Sequence, residues 1–154
     1  MKKMVIFDWG RTLYDAETEA LFPETKYVLE ALFARGHVLV IVALATAGEE
    51  KIKERKEIIE TENLSKYFDA IHFDIENKNA MYDQVLRSHT FEPKNIVVVD
   101  DRVIRGVWWG NAHGCTTVWV KNGKFAHEDP TEETGNPSHV VQSISEVAQL
   151  PILQ

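Results

Sequence analysis

Acidic residues follow two apolar runs of the chain, and a lysine lies between them in sequence. Asp8 comes directly after the run Met4–Phe7, and Asp100–Asp101 follows a second run. A carboxylate at the end of a buried strand can attack phosphorus and form an aspartyl-phosphate. Adjacent acids repel one another unless a cation joins them, and oxygen ligands suit Mg²⁺. Lys78 can hold a phosphate oxygen and neutralise Asp8. These residue types predict metal-assisted phosphoryl chemistry, although a lone Asp more simply caps its strand.

The elements that must position these residues alternate between strands and helices. The sequence predicts strands at residues 4–7, 38–44, 70–73, 95–99, 116–120 and 139–141, the last at a sheet edge. Helices are predicted from Pro23 to Gly36, over 48–60, 77–89 and 103–112, and after Ser143, with Leu13 to Phe22 as a loop. This alternation predicts one α/β domain over 1–154, a doubly wound parallel sheet in a three-layer α/β/α arrangement. Parallel strands bring their carboxyl ends to one edge, where ligands bind.

Composition limits the partners of the chain. Hydrophobic residues make up 44% and charged residues 27% of 154 residues, which fits a soluble globular domain. The net charge of −7 argues against nucleic acid and against an anionic membrane. Cys115 is the single cysteine, so no internal disulfide forms, and we expect a reducing, cytoplasmic location. No signal peptide or membrane span is predicted. The turn-rich segment 122–137 is predicted to be mobile.

Four segments resemble the haloacid dehalogenase superfamily of phosphohydrolases. DWGRTL at 8–13 is similar to the family's first motif, in which a nucleophilic Asp is followed two residues later by a second Asp and then by Gly-Thr-Leu. LSKYFD at 64–69 is typical of the approach to the third strand. Lys78 falls where the family's phosphate-binding lysine is expected, and VVVDD at 97–101 is similar to the acidic fourth motif. The resemblance covers nearly the whole chain.

The resemblance implies a Mg²⁺-dependent phosphohydrolase acting on a phosphorylated substrate. It implies that Asp8 is the nucleophile and that Lys78 contacts the phosphate. It also implies a metal held by Asp8, Asp100, Asp101 and the backbone carbonyl of Gly10. The implied fold is the Rossmann-like core of that superfamily. Neither point at which the family inserts a cap domain has room for one, so we expect an open site.

The chain departs from the family's motifs at several positions. Gly10 stands where the family usually has the second Asp, which protonates the leaving group and then activates water. The general acid and base is therefore missing, and weakened chemistry is expected. Arg11 replaces a glycine. The Ser or Thr of the second motif corresponds to Ala43, with Thr46 as a possible substitute. The residues expected to bind substrate are Gly10, Arg11, Thr12, Thr46 and Lys78.

Two functions of different classes remain open. The first is a phosphatase with impaired acid–base catalysis. The second is a non-catalytic domain that keeps the fold and the metal and acts through a protein partner or a second copy of the chain. Trp108 and Trp109 cannot both face one core, and an exposed tryptophan is a hint of a partner surface. A response-regulator receiver is disfavoured, because receivers carry the acidic pair first and the lysine late.

Overall fold

A parallel β-sheet forms the centre of the fold. The computed structural model describes residues 1–154 and contains eight strands. They are β1 (Met4–Phe7), β2 (Tyr14–Asp15), β3 (Ala20–Leu21), β4 (Val38–Leu44), β5 (Phe68–Asp74), β6 (Ile96–Asp100), β7 (Thr116–Val120) and β8 (His139–Val141). Six of them form one sheet in the order β5-β4-β1-β6-β7-β8. Every neighbouring pair in this sheet is parallel.

Four α-helices and several 3₁₀ turns cover the two faces of the sheet. The helices are α1 (Thr25–Ala34), α2 (Glu49–Thr61), α3 (Lys78–Ser88) and α4 (Trp108–Ala112). Alternate residues of a strand point to opposite faces. Val5 and Phe7 of β1 pack in one core with α1 and the C-terminal turns, whereas Met4 and Ile6 pack in a second core with α3 and Trp109. The predicted three-layer α/β/α fold class is confirmed, and no cap domain is present.

A small hairpin occupies the segment that the sequence predicts as a loop. Strands β2 and β3 pair antiparallel, with Tyr14 opposite Leu21. The loop prediction for Leu13 to Phe22 is therefore wrong in part, because strands of two residues are too short to show an alternating pattern. Tyr14 also stacks on Trp9, with ring centroids 5.6 Å apart, so the hairpin packs against the residue that follows Asp8.

The helical segment after β6 begins as a π-helix. Val103–Val107 forms the π-helical part and leads directly into α4. The predicted helix is therefore present, but its first turn is wider than an α-helix. Within this turn, the backbone N–H of Gly106 donates to Asp100 Oδ2 at 2.8 Å. Such turns are frequent at functional sites.

The predicted capping box at Ser143 is present. The Ser143 backbone N–H donates to Glu146 Oε2 at 3.0 Å, although the element that follows, Ile144–Gln149, is a 3₁₀ helix.

The segment 122–137 contains a 3₁₀ turn at Gly123–Phe125. Glu128 within it accepts the Val103 N–H at 2.7 Å. Its predicted mobility stays a prediction. None of the helices could span a membrane.

His37 joins the two ends of the chain. Its Nδ1 accepts the backbone N–H of Lys3 at 3.0 Å, and its Nε2 donates to the carbonyl of Leu153 at 3.1 Å. Arg35 donates to the same carbonyl at 3.0 Å and to the Ala148 carbonyl at 2.7 Å. The end of α1 is thereby tied to the start of β1 and to the last turn of the chain.

Candidate active site

Strand pairing brings the three predicted acids to one point. β1 and β6 are parallel neighbours with Phe7 opposite Val99, so Asp8 and Asp100 leave the sheet at the same edge. The Asp8 backbone N–H donates to the Val99 carbonyl at 3.0 Å and fixes this position. One carboxylate oxygen from each of Asp8, Asp100 and Asp101 lies within 4.8 Å of the others. All three side chains are buried.

Lys78 bridges two of these acids from the first turn of α3. Asn77 caps this helix by accepting the Ala80 N–H at 3.0 Å. Lys78 Nζ then donates to Asp100 Oδ2 at 2.7 Å and to Asp8 Oδ1 at 3.1 Å. Burial alone lowers the pKa of Lys78, but Asp100 and Asp8 outweigh it, and the pKa lies well above its usual value. Lys78 is therefore a buried ammonium at neutral pH.

Asp100 is the most tightly held acid of the site. Besides Lys78, it accepts the backbone N–H of Arg102 at 3.1 Å and that of Gly106 at 2.8 Å. Burial raises its pKa, but Lys78 and these hydrogen bonds outweigh burial, so the pKa of Asp100 is lowered. A Cβ at Gly106 would lie 2.7 Å from Asp100 Cβ, so only glycine allows this approach. The sequence VVVDD therefore needs Gly106 to hold its first acid.

Asp8 and Asp101 experience the repulsion of neighbouring carboxylates. Burial raises the pKa of Asp8, and Asp100 adds to this effect, while Lys78 opposes it. Burial, Asp8 and Asp100 together raise the pKa of Asp101 to about 10. A divalent cation among these oxygens would relieve the repulsion, and an oxygen-only donor set suits Mg²⁺. The residues present therefore fit a Mg²⁺ ion.

The acids open into a polar cavity of about 210 Å³. Its wall contains five of the residues that the sequence predicts for the site, namely Asp8, Gly10, Arg11, Thr46 and Asp101. Thr12 does not reach the wall: it is buried, and its hydroxyl has no hydrogen-bond partner. Of the two candidates for the second motif, Thr46 lines the cavity, whereas Ala43 is buried in the core.

Arg55 is a site residue that the sequence analysis misses. Its Nη1 donates to the Leu44 carbonyl at 2.6 Å. A Cβ added at Gly10 would lie 3.7 Å from its Nη2. Arg55 lies three residues after Ile52 and four before Ile59, which are the buried residues of α2. Residues with this spacing share one helix face. A cation on the buried, apolar face of α2 could therefore have indicated that Arg55 points into the protein.

Three further cations of the cavity wall are also missed, namely Arg102, Arg105 and Lys124. Arg102 Nε and Nη2 lie 3.1 and 3.0 Å from Glu128 Oε2. Its guanidinium carbon lies 3.6 Å from the centre of the Phe125 ring. Arg105 comes from the π-helical turn, and Lys124 comes from the 3₁₀ turn of segment 122–137. No short-range pattern in the sequence indicates that these two elements meet.

Comparison with known proteins gives a family match over part of the chain. Residues 77–147 match a family model described as HAD-hydrolase-like. This match includes Lys78, Asp100 and Asp101. No curated protein matches the chain.

Several solved structures share the fold over nearly the whole chain. An uncharacterized protein from Listeria monocytogenes serotype 4b superposes with a TM-score of 0.75 at 20% identity, covering 96% of this chain and 95% of that one. D,D-heptose 1,7-bisphosphate phosphatase from B. bronchiseptica, complexed with magnesium and phosphate, gives 0.76 at 14% identity and covers 96% of both chains. A HAD phosphatase from Thermococcus onnurineus gives 0.67 at 17% identity, again covering 96% of both.

Identities this low establish the fold and leave the substrate open. The family model, the fold and the gathered acidic motifs agree, however. The resemblance read from the sequence is thereby supported: residues 77–147 match a HAD-hydrolase-like model, and the chain has, without a cap domain, the fold of solved haloacid dehalogenase-like structures.

Proposed function

We propose that the protein is a Mg²⁺-dependent phosphohydrolase that acts through an aspartyl-phosphate on Asp8. The observation that carries this proposal is that Asp8, which lines a polar cavity, contacts a buried, charged Lys78. The structurally similar heptose bisphosphate phosphatase, which was crystallised with magnesium and phosphate, supports the choice of ion and of ligand.

The metal site that we propose uses the carboxylates of Asp8, Asp100 and Asp101 and the carbonyl of Gly10. The three carboxylates lie close enough to share one ion. A bound Mg²⁺ would offset the negative charge of the carboxylates and of a phosphate group. Lys78 supplies the fixed positive charge on the other side of Asp8 and Asp100, so that both acids stay in position when substrate enters.

The reaction that we propose begins with attack by a carboxylate oxygen of Asp8 on phosphorus. The new bond joins this oxygen to phosphorus, and the bond from phosphorus to the leaving-group oxygen breaks with its electron pair going to that oxygen. A water oxygen then bonds to phosphorus, and the bond from phosphorus to the Asp8 oxygen breaks with its electron pair returning to the carboxylate. Inorganic phosphate leaves with the oxygen of the water, and a proton of the water passes to the phosphate or to solvent. We propose that Lys78, which holds Asp8 and Asp100 from behind the cavity wall, also donates to a phosphoryl oxygen in both steps. Thr46 and Arg11 line the cavity that the substrate enters.

The leaving group must depart without a proton from residue 10. Gly10 has no side chain, and the nearest side-chain group to a Cβ there is the guanidinium of Arg55. A guanidinium neither gives up nor takes a proton in proteins. It stabilises an oxygen that leaves as an anion. We therefore propose that aryl and acyl phosphates react and that alkyl phosphates react slowly, since general acid–base catalysis contributes about 10²–10⁴-fold.

The proposal is tested by turnover of p-nitrophenyl phosphate with and without Mg²⁺. We expect Mg²⁺-dependent release of nitrophenolate, loss of turnover in Asp8→Asn, and wild-type turnover in the control Asp83→Asn on α3. After acid quenching, wild type should carry a phosphate that hydroxylamine releases, and Asp8→Asn should carry none. Turnover unaffected by Asp8→Asn would overturn the aspartyl-phosphate mechanism.

The second candidate is a non-catalytic domain that binds a metal and acts through a protein partner or a second copy of the chain. The absence of an acid at Gly10 and the exposed surface of Ile104 and Trp108, which are 48% and 36% exposed, favour it. Mg²⁺ binding without turnover of any aryl or acyl phosphate would select it. For either function we propose a cytoplasmic location, since the only cysteine, Cys115, is a free buried thiol.

A further inference from the structure

The cavity at Asp8 collects more positive charge than its acids balance. Five of its wall residues are cations, namely Arg11, Arg55, Arg102, Arg105 and Lys124, and only Asp8 and Asp101 are acids. The whole chain has 17 Lys and Arg against 24 Asp and Glu, a net charge of −7. Nearly a third of all cations of an acidic protein therefore line one small cavity. Gathering like charges costs free energy unless anions are bound there.

Two of the five cations already have partners. Arg102 forms an ion pair with Glu128, and both side chains are largely buried. Arg55 donates to the Leu44 carbonyl and lies close enough to Asp8 for the charge of that acid to raise its pKa, against the lowering caused by burial. Arg55 therefore belongs to the reacting end of the cavity, and Arg102 is neutralised.

The remaining three cations lack a close acidic partner. Arg105 and Lys124 have no carboxylate within 4.0 Å. Arg11 reaches only Glu17, at 3.8 Å, and the Glu17 side chain is 70% exposed. A contact of that length with an exposed partner contributes little. We call Arg11, Arg105 and Lys124 the rim cations.

Arg11 is held at the rim at a conformational cost. Its φ of 60° lies in the left-handed region, which a non-glycine residue seldom adopts. Gly123, with its own φ of 76°, packs beside it, and a Cβ there would lie in ordinary contact with Arg11 Cδ. The guanidinium carbon of Arg11 and the ammonium of Lys124 lie 5.6 and 5.4 Å from the centre of the Phe125 ring. Arg11 Nε is buried without any hydrogen-bond partner. A strained residue with an unused buried donor indicates a missing ligand.

We infer that the rim cations bind a second anionic group of the substrate, a carboxylate or a phosphate, while the phosphate that reacts lies at Asp8. This inference rests on the proposed function for the first group and adds the substrate class, a small molecule with two anionic groups. The cavity of about 210 Å³ holds a molecule of that size and no folded partner. The acidic net charge of the chain disfavours nucleic acid as the source of the anions.

The test compares two ligands that cannot be hydrolysed and that differ in one anionic group. Butylphosphonate carries only the phosphonate, whereas 4-phosphonobutyrate adds a carboxylate at the far end of a chain of similar length. Their binding to the Mg²⁺-loaded protein is measured by titration calorimetry. We expect 4-phosphonobutyrate to bind about tenfold tighter or more, the range that hydrogen bonds between charged partners contribute.

Variants of the rim cations distinguish their contribution to affinity from that of the phosphate site at Asp8. Arg105→Ala and Lys124→Ala should each remove most of this preference and leave the affinity for butylphosphonate within about twofold. The matched control Lys53→Ala removes a cation from the exposed face of α2 and should change neither affinity. Retention of circular dichroism and of the unfolding midpoint shows that the variants are folded.

Failure of this inference and failure of the proposed function give different results. Equal affinities for the two ligands would overturn the second anionic group and leave the phosphate site intact. Absence of binding by either ligand at millimolar concentration would overturn both. A 5′-phosphorylated oligonucleotide that competes better than 4-phosphonobutyrate would overturn the small-molecule class in favour of nucleic acid.

Discussion

Arg55 lies where the side chain of residue 10 would project: its Nη2 is 3.7 Å from the position of a Cβ on Gly10. Where the first motif of the resembled family would supply a carboxylate, this site has a guanidinium close to residue 10. A carboxylate exchanges protons with the leaving group and with water, whereas a guanidinium only stabilises negative charge. Under the proposed mechanism, we expect the protein to favour substrates whose leaving groups depart as anions.

Restoring the acid at residue 10 should raise activity only when Arg55 is also changed. In Gly10→Asp the new carboxylate lies against Arg55, and the ion pair lowers its pKa and its usefulness as an acid. We expect a small gain in kcat/KM toward an alkyl phosphate such as ribose 5-phosphate. Gly10→Asp combined with Arg55→Gln should gain about 10²-fold over wild type, within the usual contribution of a general acid.

The control for this pair is Arg55→Gln alone, which should lower kcat/KM toward p-nitrophenyl phosphate and give no activity toward alkyl phosphates. Wild-type hydrolysis of alkyl and aryl phosphates at similar rates would mean that another residue supplies the acid. No activity toward either substrate in any variant would favour the non-catalytic function.

Removing Lys78 should destabilise the protein most when Mg²⁺ is absent. Lys78→Met keeps the length of the side chain but leaves Asp8 and Asp100 buried without their cation. Breaking a buried ion pair in this way costs about 3–5 kcal/mol. Urea unfolding with and without Mg²⁺ measures the effect, and Mg²⁺ should recover more stability in Lys78→Met than in wild type. Lys56→Met, on the exposed face of α2, is the control. An equal effect of Mg²⁺ on both proteins would contradict a shared site.

His37 should make the protein less stable as the solution becomes acidic. Burial lowers the pKa of His37 below its usual 6.5, and the Leu153 hydrogen bond only partly opposes this. The unfolded chain therefore takes up a proton at a higher pH than the folded protein. The stability that His37 contributes is complete above pH 6.5 and is lost as the pH falls through the lower pKa of the folded state.

The measurement is the free energy of unfolding of wild type and His37→Gln between pH 8 and pH 5. The difference between them should shrink toward low pH with a slope of up to about 1.4 kcal/mol per pH unit. His127→Gln, which changes an exposed histidine, should run parallel to wild type. Parallel curves for wild type and His37→Gln would show that His37 does not titrate in this range.

Glu128 should control the order of segment 122–137. It accepts both the Val103 N–H and the Arg102 guanidinium, and hydrogen bonds of charged groups contribute about 1.5–3 kcal/mol. In Glu128→Ala, amide hydrogen exchange in this segment should accelerate while exchange in the sheet is unchanged. Asp129→Ala is the neighbouring control. Exchange at unfolded-chain rates already in wild type would bear out the predicted mobility and show that Glu128 does not hold the segment.

The sheet is predictable from the sequence because each of its strands is a short apolar run bounded by turn residues. The bounds predicted for β4, β7 and β8 agree with the structure. The hairpin β2–β3 is not predictable in this way, since its two-residue strands depend on packing against Trp9. Phe33 also fits the apolar stripe of α1 by spacing, yet it is 50% exposed and packs edge-on against Tyr67.

The acidic centre of the site is predictable and its cationic wall is not. Asp8 and Asp100 lie at strand ends, and parallel strands place such residues at one edge. Arg105 and Lys124 come from a π-helical turn and from a 3₁₀ turn that meet only through the tertiary fold. Arg55 is an intermediate case. Its spacing from Ile52 and Ile59 predicts that it shares their buried face, but α2 contains many other charged residues that make this one hard to single out.

The position of β1 at the centre of the sheet has a consequence for synthesis on the ribosome. Met4 of β1 pairs with Val38 of β4 and with Ile96 of β6. The strand that carries Asp8 can pair with β4 early, but its other side stays unpaired until β6 has been translated. Pairings of such large sequence separation fold slowly. The nascent chain thus passes through a prolonged stage in which β1 is open to aggregation and to chaperones.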